Sequence, residues 1–527
     1  MNKPESRTLA ALVEELAVRF PERPAVSFEG RTVTFAQFRD LAIEFAKALQ
    51  AEGVMPGDKV GILMGNRIEW LVVNFAIQYL GATMVALNTW YTARELAYVL
   101  DHADISVLVT VDRYLNADYV EMLDGLAPLS ETFPRLKRVV MLGDRTAAQA
   151  IGYEAFVARG AAVADTVIHT RLSAVQPSDI AYLLYTSGST SHPKGVLLQH
   201  DSLIENTWNI GARLHLDSDD ALFLPVSLFW GMGCENLLLT SWTHGVHIVM
   251  QQQFDATEAL HLISRYRCTA LGATPNIVHA IFEHPQRGEY DLSGLRKGVA
   301  SGSPEVSRKL IATAMPLLCH CYGLTECYGF ATVNDASDPV ARRAETEGRV
   351  LPGTQVRIVC PETGRTLPAG EAGEVCLRGH VMRGYFKNPE ATAASFDADG
   401  FFHTGDLGVL DAEGFLHFKG RIKEMLKTGG INVAPIEVEE VLRTHPAIEE
   451  AFVTGLPDPV RDEVVAAVIV LARGATLDKA AVLEYCRASL AAYKVPREVV
   501  FVPMHEIPQT STRKVHRMRL VELFSKA

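Results

Sequence analysis

The chain has 527 residues, 48% of them hydrophobic and 21% charged, and a formal net charge of −12. That length exceeds what one core organises and predicts roughly two to four domains. The acidic balance excludes a general nucleic-acid binder, which needs a basic surface to meet phosphates. Residues 1–7 are polar and lead into an amphipathic pattern without a signal-peptide core. The longest apolar stretch, 71–87, is broken by Asn74, Gln78 and Gly81, so a buried helix and strand are expected there rather than a membrane span. A cytoplasmic location follows. The eight cysteines form no CxxC pair, and Cys319, Cys321 and Cys327 fit no zinc spacing and read as buried thiols.

In chain order, 8–19 has helical spacing with Thr8 as its N-cap. Residues 25–28 and 32–35 read as a hairpin around Glu29-Gly30-Arg31, 35–51 as a helix, 59–64 as a buried strand and 68–80 as a helix. The rhythm continues through 216–315 and predicts an α/β architecture with mainly parallel, buried strands. Beyond residue 345, short strands at 355–359, 374–378, 408–410 and 415–419 predict a small β-rich module. A compact α+β segment follows, with helices at 435–444 and 479–492 and strands at 449–454, 464–470 and 498–501. The domain boundary is placed at Gly420-Arg421-Ile422-Lys423, dividing the chain into 1–420 and 421–527.

The stretch richest in chemistry is Tyr185-Thr186-Ser187-Gly188-Ser189-Thr190-Ser191-His192-Pro193-Lys194-Gly195-Val196. Hydroxyls, glycines and a lysine between two apolar runs can turn backbone N–H groups and side-chain donors toward a polyphosphate. The common nucleotide loop is different: two glycines five apart, then Lys and Ser/Thr, ahead of a helix. Here a strand is expected after Lys194, and by composition alone a Ser/Gly surface hairpin fits equally well. Three distant segments add to it. Tyr322-Gly323-Leu324-Thr325-Glu326 is a glycine turn with a hydroxyl and a carboxylate. Thr404-Gly405-Asp406 puts a carboxylate in a turn between apolar strands, and Pro508-Gln509-Thr510-Ser511-Thr512-Arg513-Lys514 puts a lysine in a hydroxyl-rich loop. Any one alone reads as a turn or cap. Together they supply anion donors, a candidate Mg²⁺ carboxylate, a candidate ribose carboxylate and a mobile cation.

This ordered set, with Gly420-Arg421-Ile422-Lys423, resembles the adenylate-forming superfamily of acyl-CoA and aryl-CoA synthetases, peptide-synthetase adenylation domains and beetle luciferases. The resemblance runs over 8–517. It implies a large N-terminal domain and a small mobile C-terminal domain, and two half-reactions. A carboxylate first attacks the α-phosphate of Mg·ATP and pyrophosphate leaves; a CoA thiol then attacks the acyl carbon and AMP leaves. By that resemblance Thr186, Ser187, Gly188, Ser189, Thr190 and Lys194 hold the β- and γ-phosphates. Thr325 touches the α-phosphate and Glu326 ligates Mg²⁺, a hard cation that prefers oxygen. Asp406 accepts the ribose hydroxyls, Arg421 assists beside it, and Gly302, Ser303 and Tyr322 form the adenine shelf, with Gly323 next to them. Lys514 stabilises the charge that develops as pyrophosphate departs. Lys423 is the hinge, Gly429 and Gly430 let the pantetheine arm pass, and Lys427 assists the thioester step.

Two positions depart from the family pattern. Ser191 stands where the loop has its second glycine, and Arg513 stands where glycine commonly precedes the catalytic lysine; an adjacent permanent cation favours neutral Lys514. The segment 225–233, with Val226, Trp230 and Gly233, matches the acyl-pocket lining of relatives, many of which carry histidine at the position of Trp230. A tryptophan there shortens the pocket or walls it, and an ordinary core aromatic fits as well. Residues 272–275, including Thr274, and 301–303 form other walls. No basic residue marks a second carboxylate, so the expected substrate is a monocarboxylic acid, medium-chain aliphatic or aryl, used with ATP, Mg²⁺ and coenzyme A; a homodimer is compatible with the sequence. A serine acyl-enzyme is excluded because Pro193 opposes the helical turn that Ser191 and Lys194 would need. Two alternatives stay open: transfer to a carrier-protein thiol or other nucleophile, and a non-catalytic nucleotide-binding protein.

Overall fold

Unbroken runs of valine, isoleucine and leucine demand strands covered on both faces, and the computed structural model places them in two largely parallel sheets. It describes residues 2–186, 193–300, 304–428, 431–458, 462–490, 492–510 and 514–525. The chain forms two compact units, Met1–Gln355 with Leu377–Phe402, and Val356–Cys376 with His403–Ala527.

In the first unit an eight-stranded sheet runs in the order Gly384–Tyr385, Lys194–Gln199, Ile180–Thr186, Thr83–Ala86, Lys59–Leu63, Ile105–Val111, Arg138–Leu142, Ala150–Gly152. The six strands from Ile180–Thr186 onward are parallel, and the first two are antiparallel additions. A seven-stranded sheet runs Leu317–Cys319, Lys297–Ala300, Ala270–Ala273, Ala221–Leu224, His247–Met250, Pro24–Phe28, Arg31–Thr34. Its last pair is the expected hairpin, turned by Glu29 and Gly30 at φ 47° and 77°, as a two-residue hairpin turn requires.

The apolar stretch 71–87 resolves into the buried helix Ile68–Tyr79 and the strand Thr83–Ala86. Its polar interruptions find donor contacts inside: Asn74 donates to Tyr182 Oη at 3.0 Å and Gln78 to the Ala181 carbonyl at 3.3 Å. Helix Phe35–Ala51 begins with a capping box between Thr34 and Gln37. Thr8 precedes helix Leu9–Arg19, but its side chain caps nothing; Glu15 instead accepts the Ser6 amide at 2.9 Å. Among the described residues no helix is long and apolar enough to cross a membrane.

The second unit holds most of a four-stranded sheet in the order Thr354–Val359, Gly373–Gly379, Phe402–Leu410, Leu416–Arg421. A five-stranded sheet runs Ile431–Val433, Leu426–Thr428, Asp462–Leu471, Ile448–Asp458, with Glu498–Phe501 parallel to Asp462–Leu471. Alternation divides its core between the two faces. Val453, Ala467 and Ile469 meet Val438 and Leu442 of helix Pro435–Arg443 and Val482 of helix Lys479–Ser489, while Phe452, Val468 and Val470 meet Leu520 and Leu523. The four-stranded sheet, which precedes the expected boundary at 421, groups largely with the C-terminal segment. One sequence expectation is corrected here. Thr404-Gly405-Asp406 is no turn: the strand expected at 408–410 starts at Phe402 and carries all three residues. Gly405 takes φ +73° within it, a left-handed step that glycine makes without a Cβ penalty, so a strand continues through a turn-like triplet.

Candidate active site

The two strands flanking the hydroxyl-rich segment are paired so that Thr186, the last residue of one, faces Lys194, the first of the other. Strand Gly384–Tyr385 pairs with the second, Tyr385 opposite Val196. Lys194 Nζ then stands 4.7 Å from the centroid of the Tyr385 ring, within cation–π range. Tyr385 Oη donates to Glu326 Oε1 at 3.0 Å, and the Met382 amide donates to the Glu326 carbonyl at 2.7 Å. Burial and the negative Glu326 both raise the Tyr385 phenol, so it stays protonated and donates. A cation, a phenol and a carboxylate from three remote stretches thus share one place. Ser187, Gly188, Ser189, Thr190 and Ser191, and likewise Gly302 and Ser303, lie outside the described residues.

Buried Tyr322 ends strand Cys321–Tyr322, and Gly323 leads into the helical turn Thr325–Cys327. Cys327 Sγ accepts the Leu324 amide at 3.2 Å, which fixes the turn that presents Thr325 and Glu326. Neighbouring His320 hydrogen-bonds Ser307 at 2.5 Å, and burial pushes its imidazole down to about 4, so it is a core histidine. All eight cysteines are unbridged, and six of them are buried; Cys321 and Cys360 are partly exposed.

The acyl-pocket candidates come together around the segment that follows strand Ala221–Leu224. Asn66 clamps it, donating to the Val226 carbonyl at 2.9 Å and accepting from the Leu228 amide at 2.8 Å. Trp230 meets Trp90 at 5.3 Å and Phe229 at 5.5 Å, both edge to face, and Trp90 meets Phe229 at 5.5 Å. The rings form an aromatic wall. Gly233 must be glycine, because a Cβ there would stand 2.3 Å from the Ser227 carbonyl oxygen. A π-helical turn, Met232–Leu237, follows, and Leu237 packs within 2.1 Å of where a Gly272 Cβ would be, joining the wall to strand Ala270–Ala273 and thence to Thr274. Thr274 precedes helix Pro275–Phe282 and donates to Asn276 Oδ1 at 2.6 Å.

Sequence reasoning missed Glu235, on that π-helical turn. It is fully buried, and neither carboxyl oxygen has a hydrogen-bond partner among the described residues. Burial holds it well above the usual carboxylate range, and the charge of Glu326 pushes the same way. A Cβ at Gly231 would lie 2.6 Å from Glu235 Oε2 and 3.2 Å from Thr325 Oγ1, so the acyl segment and the Thr325-Glu326 turn adjoin. A glutamate inside the apolar run 232–239 was the available signal, since unpaired buried carboxyls are rare. Tyr385, in Gly384-Tyr385-Phe386, carried no comparable signal.

In the second unit, buried Asp406 lies opposite Arg421 on the paired strands Phe402–Leu410 and Leu416–Arg421, with Arg421 Nε 3.2 Å from Asp406 Oδ1. Exposed Lys423 lies in the turn Ile422–Glu424 directly after the second strand. Lys427 lies on strand Leu426–Thr428; its side chain, Gly429, Gly430 and Arg513 are outside the described residues. Lys514 is exposed, its carbonyl accepting the Thr510 amide at 2.7 Å and its amide donating to Thr510 Oγ1 at 3.2 Å. Three residues on, Arg517 pairs with buried Glu439 of helix Pro435–Arg443 and ties the segment after Lys514 to that helix.

Residues 13–386 match the family model of the AMP-binding enzyme, and 437–514 that of the AMP-binding enzyme C-terminal domain. The chain is 36% identical to the putative acyl-CoA synthetase YngI of Bacillus subtilis, covering 98% of this chain and 96% of that one. It is also 36% identical to the 3-[(3aS,4S,7aS)-7a-methyl-1,5-dioxo-octahydro-1H-inden-4-yl]propanoyl:CoA ligase of Mycobacterium tuberculosis, covering 98% and 99%. Among solved structures it resembles the anthranilate CoA ligase AuaEII in complex with anthranoyl-AMP, with TM-score 0.85, 28% identity and coverage of 98% and 97%. ATP-bound MatB from Rhodopseudomonas palustris gives TM-score 0.84 at 28% identity, covering 98% and 99%.

Proposed function

We propose that this chain, which belongs to the AMP-binding enzyme family, adenylates its acid at the Lys194–Tyr385–Glu326 cluster and takes a medium-chain aliphatic or aryl monocarboxylic acid against the Trp90–Phe229–Trp230 wall. The chain is an ATP-dependent carboxylic acid–CoA ligase. In the first half-reaction a carboxylate oxygen of the acid bonds to the α-phosphorus and the bond to the departing pyrophosphate breaks. Thr186 and Lys194 hold the leaving phosphates and Thr325 donates toward the α-phosphate. In the second, the CoA thiol adds to the acyl carbon, AMP leaves with its bonding electrons, and the thiol proton passes to solvent.

Glu326 suits Mg²⁺: it is an oxygen donor held in place by Tyr385, in a setting where Lys194 adds the only other strong charge the described cluster carries. Bound there, the metal would offset phosphate charge as pyrophosphate leaves. Asp406 receives the ribose hydroxyls and Arg421 orients that carboxylate. Lys514 serves adenylation and Lys427 thioester formation, with Lys423 as the hinge between the two arrangements of the domain beginning at 421, and Gly429 and Gly430 lining the pantetheine path. Tyr322 and Gly323, with Gly302 and Ser303, receive the adenine.

The single observation that carries this reading is the convergence of Lys194, Tyr385 and Glu326 beside Thr325. The experiment is a panel of aliphatic and aryl acids incubated with ATP, Mg²⁺ and CoA, read for AMP and thioester together. Equimolar AMP and thioester with one acid class is expected. AMP release without thioester would move the acceptor from CoA to another nucleophile.

A further inference from the structure

Away from the residues assigned above, the four-stranded sheet of the second unit gathers a carboxylate, a thiol and an imidazole. Glu374 and Cys376 stand two apart on strand Gly373–Gly379 and so project from one face. His403 comes from the neighbouring strand Phe402–Leu410. Its Nδ1 lies 2.7 Å from Glu374 Oε2 and 3.5 Å from Cys376 Sγ, and one ligand atom of each residue falls within 4.8 Å of the other two.

One imidazole nitrogen cannot donate to the carboxylate and accept from the thiol at once. A bound cation would take the carboxylate oxygen, the sulfur and the imidazole nitrogen together as ligands. We propose that Glu374, Cys376 and His403 form a Zn²⁺ site. The donor set of carboxylate oxygen, thiolate sulfur and imidazole nitrogen is the one this metal takes. Bonds of about 2.0–2.3 Å in tetrahedral geometry put ligand atoms roughly 3.3–3.8 Å apart, so these side chains reach the site with shifts of about 1 Å.

The surroundings fit. Glu374 Oε1 accepts the Gly405 amide at 2.9 Å, which turns Oε2 toward the other two ligands, a supporting bond of the kind that orients metal carboxylates. Cys376 is fully buried, while the His403 side chain is 31% exposed and that of Glu374 13%, so metal and a water as fourth ligand enter from the His403 side. Binding releases the Cys376 thiol proton to solvent and moves no electrons. The site also leans on the backbone of Gly405, the residue before Asp406.

Titration of the full chain with Co²⁺ tests this, because a cobalt–thiolate bond gives a near-ultraviolet charge-transfer band. The expected result is one equivalent of Co²⁺ bound with that band, and its loss on adding Zn²⁺. Cys376→Ser should lose the band, and His403→Gln should weaken Co²⁺ binding at least tenfold while keeping the metal-free melting temperature of the parent. No band in the parent chain, or an undiminished band in Cys376→Ser, overturns the proposal. If Cys376→Ser does not fold, undiminished Co²⁺ affinity in folded His403→Gln overturns it equally.

Discussion

Tyr385 holds Glu326 through a phenol that burial keeps protonated, and Lys194 rests over the same ring. A hydrogen bond to a charged group contributes about 1.5–3 kcal/mol. Tyr385→Phe is therefore expected to lower kcat/KM for ATP ten- to a hundredfold, with the melting temperature unchanged, as steady-state kinetics at varied ATP would register. Glu235 makes a prediction about pH. Its folded-state value is raised by burial, so the folded chain keeps a proton that the unfolded chain gives up, and stability falls as pH climbs above the ordinary glutamate value of 4.5. Glu235→Gln removes that slope. The variant should melt above the parent at pH 8, with the gap closing toward pH 5; a gap constant with pH would mean that Glu235 is not held neutral.

Strand pairing explains why part of the site was legible and part was not. The loop ends at Thr186 and Lys194 could be read because composition changes where a strand begins, and the register confirms the strand after Lys194. Helix Phe35–Ala51 and strand Glu498–Phe501 follow their apolar spacing to the residue. Thr404-Gly405-Asp406 misled because a left-handed glycine ordinarily signals a turn, and only the cross-strand bond from Thr404 Oγ1 to the Val375 carbonyl shows it kept within a strand. Tyr385 was invisible because its meaning comes from pairing with a strand 190 residues earlier, and no local pattern encodes such a pairing. At this scale the aromatic wall is testable. Trp230→Ala should open space and shift kcat/KM along a homologous series of straight-chain acids toward longer members, by severalfold or more. An unchanged profile with a lower melting temperature would make Trp230 a core aromatic alone.

Among the described residues of the larger unit, burial holds several histidines as neutral rings. Burial pushes His200 down to about 3, and His244, His247 and His320 to about 4, from an ordinary 6.5. Below pH 6.5 the unfolded chain binds protons that the folded one refuses, so this stability is present above 6.5 and lost as pH falls toward 4. Each histidine contributes about 1.4 kcal/mol per pH unit in that window. Thermal melts should show a steep drop between pH 6.5 and 5, and a flat profile there would contradict neutral burial. The central claim, that this molecule first joins its acid to AMP at the Glu326 cluster, is tested most directly by exchange of labelled pyrophosphate into ATP without CoA. The account predicts exchange only when an acid of the right class is added, and its loss in Glu326→Gln. Exchange independent of acid, or undiminished in Glu326→Gln, would contradict it.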